Sequence, residues 1–497
     1  MKIHLLISTV VIIIAITFVI QNLYRKWARV SNDEKKNPPQ PKGALPLIGH
    51  LHLIAGRTKI PHKVLGNMAE ACGPIFIVKL GVHQALVVSD AEIAKECFTK
   101  NDLVFATRPK SLVVELMGYN YAMFGLAPYG DYWRTMRKMV MIKVLSQRRV
   151  EMLSSIRVSE VRTSMKHICE AWVRNKESTG SNKLQVQIKK LFENFQLNII
   201  TRTVSGKRFS PGDEESARVL AVARKFLELL GTFVRWLEEH RKQRESGEQQ
   251  CEGEHDFMNV FISMLEGASG EEFTGFDHIT MIKATSLVIL TGGLDTTHAT
   301  LTSALSLLLN NPKALKMAQE ELDAHVGRDR LVEESDITNL VYLQAIIKET
   351  LRLHPPAQIS PAHESIDNCI VAGYNIPKGT RLMVNLWKLH RDPNVWSDPD
   401  QFQPERFLTS NKDIDYQGQQ YDYLPFGSGR RICPGISFAI KTLHFTLASA
   451  LQGFELAKPS NKVDANEGVG LTDINDFPLE VILSPRLSID KYHNATE

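Results

Sequence analysis

One segment constrains this chain more than any other: Phe426-Gly427-Ser428-Gly429-Arg430-Arg431-Ile432-Cys433-Pro434-Gly435. Two glycines before the cysteine and one after it let the backbone turn tightly and approach a flat ligand closely. Pro434 removes one N–H and stiffens the exit. Apolar and small residues from Ile436 to Leu451 predict a helix immediately afterwards, so Cys433 stands just before a helix N-terminus. The helix dipole and the neighbouring arginines favour thiolate over thiol there. A buried, inert cysteine in a glycine-rich turn is the plainer alternative. Other parts of the chain decide between the two.

In Lys348-Glu349-Thr350-Leu351-Arg352, residues three apart share a helix face, so Glu349 and Arg352 can pair. An arginine in such a pair can hold a second acceptor. The alternative is an ordinary surface ion pair, worth less than about 1 kcal/mol. Trp133 and Arg137 are four apart and also face one way, either toward a common anion or in a local cation–π contact. Asp277 to Asn310 is apolar on nearly every side, the pattern of a central helix surrounded by protein. Within it, Leu290-Thr291-Gly292-Gly293-Leu294-Asp295-Thr296-Thr297 places two glycines and a carboxylate where both are costly. Breaks of this kind tend to mark functional sites. Asp295 and Thr296 can donate or relay protons, and a kink fixed by hydroxyl back-bonding is compatible with that role.

The spacing Phe-x-x-Gly-x-Arg-x-Cys-x-Gly is similar to the haem-binding loop of cytochromes P450. The other motifs stand in that family's order along the chain. The resemblance implies a mainly α cytochrome P450 fold with small β-sheets and an N-terminal transmembrane helix. It implies haem b with Cys433 as axial thiolate, a ligand whose electron density promotes O–O cleavage. Gly292 and Gly293 would leave room for a diatomic ligand over the iron, and Asp295 and Thr296 would support oxygen activation. Glu349 and Arg352 would form the family's Glu-x-x-Arg pair, with Arg406 of Pro404-Glu405-Arg406-Phe407 as its third, structural member. Trp133, Arg137 and Arg431 would serve the haem propionates. His363 falls where many relatives place an arginine.

The likeness runs from the proline-rich hinge to Pro485 and is closest to plant A-type enzymes, in the branch containing nicotine N-demethylases and protopine, flavonoid and terpenoid hydroxylases. It implies a monooxygenase that uses O2 and electrons from an NADPH-cytochrome P450 reductase on a small apolar plant metabolite, by hydroxylation or demethylation. Arg134, Lys138, Arg430 and Lys441 lie near segments expected on the cysteine side of the haem, where an acidic flavoprotein could dock. A haem-thiolate isomerase or dehydratase is the alternative enzyme, although it would not need Asp295 and Thr296. A haem-binding protein without catalysis is the alternative outside catalysis, for a reason given by one departure. In relatives, the helix resembling Ala217 to Phe233 is followed by a loop and most of another helix. Here Val234 runs directly into Arg235-Trp236-Leu237-Glu238-Glu239-His240, so a block is missing from the roof of the substrate pocket.

Residues 1–24 open with MKIHLLISTVVIIIAITFVI, and Ile3 to Ile20 just spans a bilayer core. The run is longer than a signal-peptide core and Gln21-Asn22-Leu23-Tyr24 offers no small-residue cleavage site, which favours a retained anchor. Arg25, Lys26 and Arg29 follow it, against Lys2 before it, placing the body of a single-pass protein in the cytosol; the resemblance implies that the membrane is that of the endoplasmic reticulum. The sequon at Asn494 would then never meet the glycosylation machinery. Residues 25–50 form a basic, proline-rich linker and 51–497 one catalytic domain. A net charge of +4 on 497 residues carries no nucleic-acid signature. The six cysteines lack zinc spacing, and their scatter points to reduced thiols.

Pro74 to Asp90 reads as two β-runs around Gly81, with Ser89 or Asp90 capping the helix that follows. Long helices are expected over about Tyr132–Ala171 and Lys189–Thr203. A second β-rich piece, Cys369 to Asn385, is expected to turn at Pro377-Lys378-Gly379, and Glu245 to Asp256 to be a surface loop.

Overall fold

The computed structural model describes residues 37–54, 59–210, 213–215, 257, 275–459 and 479–493. The expected anchor, the helix Ala217 to Phe233 with its junction at Val234–Arg235, the Glu245–Asp256 loop and the Asn494 sequon lie outside them. Among the described residues, no helix is long and apolar enough to cross a membrane.

Seven helices frame the site: α1 Ala91–Phe98, α2 Asp131–Met139, α3 Ser154–Thr179, α4 Ile188–Ser205, α5 His278–Asn310, α6 Val341–Leu353 and α7 Ile436–Gly453. Asp90 caps α1 by accepting the N–H of Ile93 at 2.9 Å, and Asp277 caps α5 through the N–H of Thr280 at 2.9 Å. Such caps satisfy donors that a helix start leaves without partners. The predominantly apolar α5 runs through the middle of the main core, against α4, α6 and α7. This is the environment its sequence requires, because a helix apolar on nearly every side has little to offer water.

The stretch expected as one helix from Tyr132 to Ala171 is broken. After α2, Val140–Val144 winds as a π-turn, and Gln147–Met152 forms a short helix before α3 starts at Ser154. Ser146 is the cause of one break: its Oγ accepts the N–H of Arg149 at 3.4 Å, which starts a new helix.

The strands are β1 Ile75–Leu80, β2 His83–Val88, β3 Leu184–Gln187, β4 His363–Glu364, β5 Cys369–Val371, β6 Tyr374–Ile376, β7 Arg381–Val384, β8 Phe454–Ala457 and β9 Glu480–Pro485. One sheet has the order β1-β2-β7-β4, with β2 and β7 parallel and Val88 opposite Val384. The others are β3-β9-β8 and the β5-β6 hairpin. The hairpin turns at Ala372 and Gly373, both at positive φ (48° and 77°), rather than at Pro377. The Pro377–Thr380 turn exists, but it carries the chain out of the hairpin into β7 of a different sheet. A two-residue turn with positive φ at both positions matches strand twist, which explains why the shorter connection closes the hairpin.

Candidate active site

The cysteine loop is wound by its two leading glycines, at φ 73° for Gly427 and 66° for Gly429, values that side chains disfavour. The N–H of Cys433 closes the loop onto Phe426 O at 3.0 Å, and Ser428 Oγ donates to Gly418 O at 2.7 Å. Gly435, by contrast, has an ordinary φ of −93° as the N-cap of α7, so the glycine after the cysteine needs no unusual backbone. Its N–H points at Cys433 Sγ from 3.4 Å. Burial pushes the Cys433 thiol up, and the Gly435 N–H and the Arg137 charge pull it back down. The first effect is the larger, so the helix start and the arginine moderate the cost of a buried thiolate.

Behind the loop stands a fully buried ion-pair cluster. Arg352 donates through Nε and a terminal nitrogen to the two Glu349 oxygens, at 2.7 and 2.8 Å. Arg406 Nε and the N–H of Gln403 both reach Glu349 Oε1, at 3.1 and 2.9 Å. The rest of Arg352 holds the carbonyls of His390 and Pro399, at 2.9 and 2.7 Å. Glu349 and Arg352 side chains have no exposed area, which rules out the surface-pair alternative. Breaking such a pair strands a buried charge, at a cost of about 3–5 kcal/mol.

Cys433 lines a cavity of about 400 Å³ together with Phe426, Pro434, Gly435 and Ala439. Gly292, Gly293, Thr296, Thr297 and Thr300 of α5 line it too. The two glycines differ. A Cβ on Gly292 would meet nothing within 4 Å, whereas one on Gly293 would lie 2.7 Å from Ile200 Cδ1 of α4. Room beside the cavity therefore explains Gly292, but helix packing explains Gly293. Thr296 donates its hydroxyl to Gly292 O at 2.6 Å, so the back-bond considered above is present, while α5 runs on unbroken. Asp295 is not on the cavity wall; its carboxylate lies 3.6 Å from His298 Nε2.

At one edge of the cavity the wall is cationic. Arg137 donates to Ile432 O at 2.6 Å, and its guanidinium sits 5.7 Å from the Trp133 ring centre. Arg431 lies 4.2 Å over the same ring and donates to Ala106 O at 2.6 Å and Ala127 O at 2.7 Å. His363 Nδ1 is 2.8 Å from Phe105 O. Sequence reasoning missed Arg108, which joins this edge, donates to Pro361 O and Ala362 O, and has a buried Nε without a partner among the described residues. An isolated Arg-Pro dipeptide carries no periodicity that could have flagged it. Burial, then mutual repulsion, lowers Arg108 to about 10 and Arg431 to about 9, and the same forces hold His363 at about 3. No carboxylate lines the cavity among the described residues, so none of these supplies the arginines with a counter-anion at that edge.

The sequence profile of the family described as "Cytochrome P450" matches residues 38–238 and 228–475. This chain belongs to the cytochrome P450 family. It is 44% identical over 504 positions to a flavonoid-6-hydroxylase of Mentha piperita, covering 94% of this chain and 96% of that one. It is 45% identical over 505 positions to a demethylepipodophyllotoxin synthase of Sinopodophyllum hexandrum, covering 94% and 95%. A zebra fish cytochrome P450 solved with abiraterone superposes with a TM-score of 0.72 at 26% identity, covering 86% of this chain and 99% of that one.

The chain is thus a P450 monooxygenase, and the cofactor of its family is haem with an axial cysteine thiolate. The cavity fits that group on its own chemistry. A single thiol stands on one wall, an unbalanced arginine edge suits a dianionic ligand, and no cluster of three His, Cys, Asp or Glu side chains offers a rival metal site among the described residues. Of the basic residues expected near a docking flavoprotein, Arg430 is paired with Asp102 at 3.1 Å, Lys441 with Glu151 at 3.8 Å and Arg134 with Asp131.

Proposed function

We propose that this P450 inserts one oxygen atom from O2 into a small apolar plant metabolite, with electrons supplied from NADPH through a reductase. One observation carries the reading: Cys433 and Thr296 share a single, largely apolar cavity whose edge bears uncompensated arginines. Haem, when bound, supplies the oxygen chemistry, with Cys433 as its thiolate ligand. Arg108, Trp133, Arg137, His363 and Arg431 then take its carboxylates. Arg431 also spends two of its donors on the carbonyls of Ala106 and Ala127, and so fixes the cysteine loop to the segment before α2. Thr296 holds a hydroxyl at the cavity wall, and Asp295 serves as the proton reservoir next to it. Glu349, Arg352 and Arg406 are structural and keep the loop in place.

The same reading keeps residues 1–24 as a membrane anchor at the endoplasmic reticulum, with the domain on the cytosolic side. An exposed apolar group supports a membrane-facing surface close to the linker. Leu47 and Val82 are 85% and 84% exposed, with Leu45, Ile48 and Leu51 beside them. Gly81 N–H to Ile48 O, at 3.2 Å, joins the two turns into one patch.

A shortened roof near Val234–Arg235 belongs to the proposal as well. Its support is that the profile restarts at residue 228 after running to 238. In addition, the 504 aligned positions of the Mentha relative exceed what 94% of a 497-residue chain can fill. The experiment is a metabolite screen on microsomes containing the full chain, with and without NADPH and reductase. Product that requires both bears the reading out. Turnover without NADPH would point to the isomerase or dehydratase alternative, and no product with intact haem to the impaired form.

A further inference from the structure

We propose that His298 is a positioning residue that holds the Asp295 carboxylate on the outer face of α5 and limits how often it turns toward the cavity. The inference rests on the reading of Asp295 and Thr296 as the proton-handling pair. At 3.6 residues per turn, Gly292, Gly293, Thr296, Thr297 and Thr300 form one face of α5, and all of them line the cavity. Asp295 and His298, three apart, share the other side and do not line it. The His298 Nε2 to Asp295 Oδ1 separation is 3.6 Å, and the histidine side chain is 4% exposed against 29% for the aspartate.

The surroundings of His298 make this contact informative. Its other nitrogen, Nδ1, is buried without a hydrogen-bond partner among the described residues, so the approach of Nε2 to Asp295, longer than a hydrogen bond, is the polar contact recorded for the ring side chain. Around it α5 is apolar or hydroxylated, with Leu294, Ala299, Leu301 and Thr302 as neighbours in the chain. A half-satisfied imidazole in such a place is costly unless it does something there. Among the described residues no other basic side chain stands within ion-pair reach of Asp295. To serve Thr296, the carboxylate must leave this contact for a rotamer on the cavity side, a discrete step between staggered wells.

A contact of this kind to a partly exposed carboxylate biases a rotamer population by about five-fold at most. The bias can be read without any substrate. Oxygen that receives protons promptly leaves as water, using two NADPH per O2, whereas oxygen released early leaves as hydrogen peroxide, using one. His298→Leu removes the ring nitrogen that faces Asp295, so the peroxide-to-water ratio should fall, by up to about five-fold. His298→Gln, which keeps an N–H donor, should return the ratio to the parent value.

The test uses the reductase-coupled holoenzyme with NADPH and O2, in the parent, His298→Leu, His298→Gln, Asp295→Asn and the His298→Leu/Asp295→Asn double variant, with haem content as the folding control. A second readout is the Asp295 side chain in crystal structures of the parent and His298→Leu, where it should turn to the cavity in the variant. Should His298→Leu lose haem, His298→Phe, which keeps a buried ring without an N–H, replaces it. The effect should vanish when Asp295→Asn is already present. An equal effect with and without Asp295, or a carboxylate that stays outward in the variant, overturns the proposal alone. Unaltered oxygen partitioning in Asp295→Asn would instead remove the underlying reading of the pair.

Discussion

His390 accepts the backbone N–H of Leu424 on Nε2 at 2.8 Å, two residues before Phe426 opens the cysteine loop. Nε2 is therefore unprotonated, and Nδ1 carries the proton that faces the carbonyl of Arg352 at 3.2 Å. One neutral imidazole thus ties the buried Glu349–Arg352 cluster to the approach of the loop. His390→Leu would leave both backbone groups without partners in the interior, at about 1–3 kcal/mol each. We expect a lower thermal midpoint and faster loss of the thiolate-type Soret band of the reduced carbon monoxide adduct. A variant with the parent's midpoint and band lifetime would show that the link carries no load.

The same burial makes acid the weak point of the fold. Desolvation, followed by nearby positive charge, holds His390 at about 3 and His444 at about 4, below the usual 6.5. Both are neutral when folded and take up a proton when unfolded. Their contribution is complete above about pH 6.5 and is lost as the pH falls toward the folded values. Each should cost up to about 1.4 kcal/mol per pH unit in that window. Denaturation midpoints between pH 7.5 and 5 should fall, and fall less steeply in His390→Gln. Equal slopes in the two proteins would contradict the assignment.

Loss of the ligand and loss of its anchor should look different. Cys433→Ala should abolish the thiolate-type Soret band outright. Arg108→Leu should keep the band but shed haem about ten-fold faster, because one charge-assisted bond to a haem carboxylate is gone. Haem transfer to an apo-globin acceptor measures the second rate. An unchanged spectrum in Cys433→Ala would sink the haem-thiolate assignment, and unchanged haem loss in Arg108→Leu would remove Arg108 from the anion site.

Which of these features the sequence reveals follows from how each one is encoded. Cys433, Glu349 and Arg352 sit in motifs of fixed local spacing, and α5 announces itself by being apolar on nearly every side. Arg108 and His390 do their work with backbone atoms or charges remote in the chain, such as Pro361 O for Arg108 and Leu424 N for His390. No local pattern encodes partners at that distance. The break at Ser146 and the turn at Ala372–Gly373 were hidden for a related reason, since a serine cap and a positive-φ alanine look like ordinary members of a periodic run. Even Gly293, legible as unusual, owes its small size to Ile200 of another helix.

Thr296 tests the oxygen side. Its hydroxyl is held by Gly292 O, yet it remains on the cavity wall, where the proposed function would have it pass a proton. Thr296→Ala should retain haem and the helix, because α5 does not need the back-bond to stay continuous. NADPH oxidation should continue while peroxide replaces product. Coupling equal to the parent's would reduce Thr296 to a residue that merely shapes the helix.

The proposed shortening of the roof gives the prediction with the widest reach. A closing segment excludes water and orients the substrate, and each effect can be worth several kcal/mol in rate. The cysteine loop, the arginine edge and the Glu349 cluster draw on parts of the chain remote in sequence from residue 234, so haem incorporation should be normal. The cavity in front of Thr296 should nonetheless be wetter than in relatives that keep the block. Weak substrate-induced spectral shifts and heavily uncoupled NADPH consumption are therefore expected. Inserting the corresponding loop and helix of a relative, such as the Mentha hydroxylase, between Val234 and Arg235 should raise product per NADPH and leave the carbon monoxide spectrum unaltered. Tight substrate binding and efficient coupling in the chain as it stands would show that the roof closes without that block.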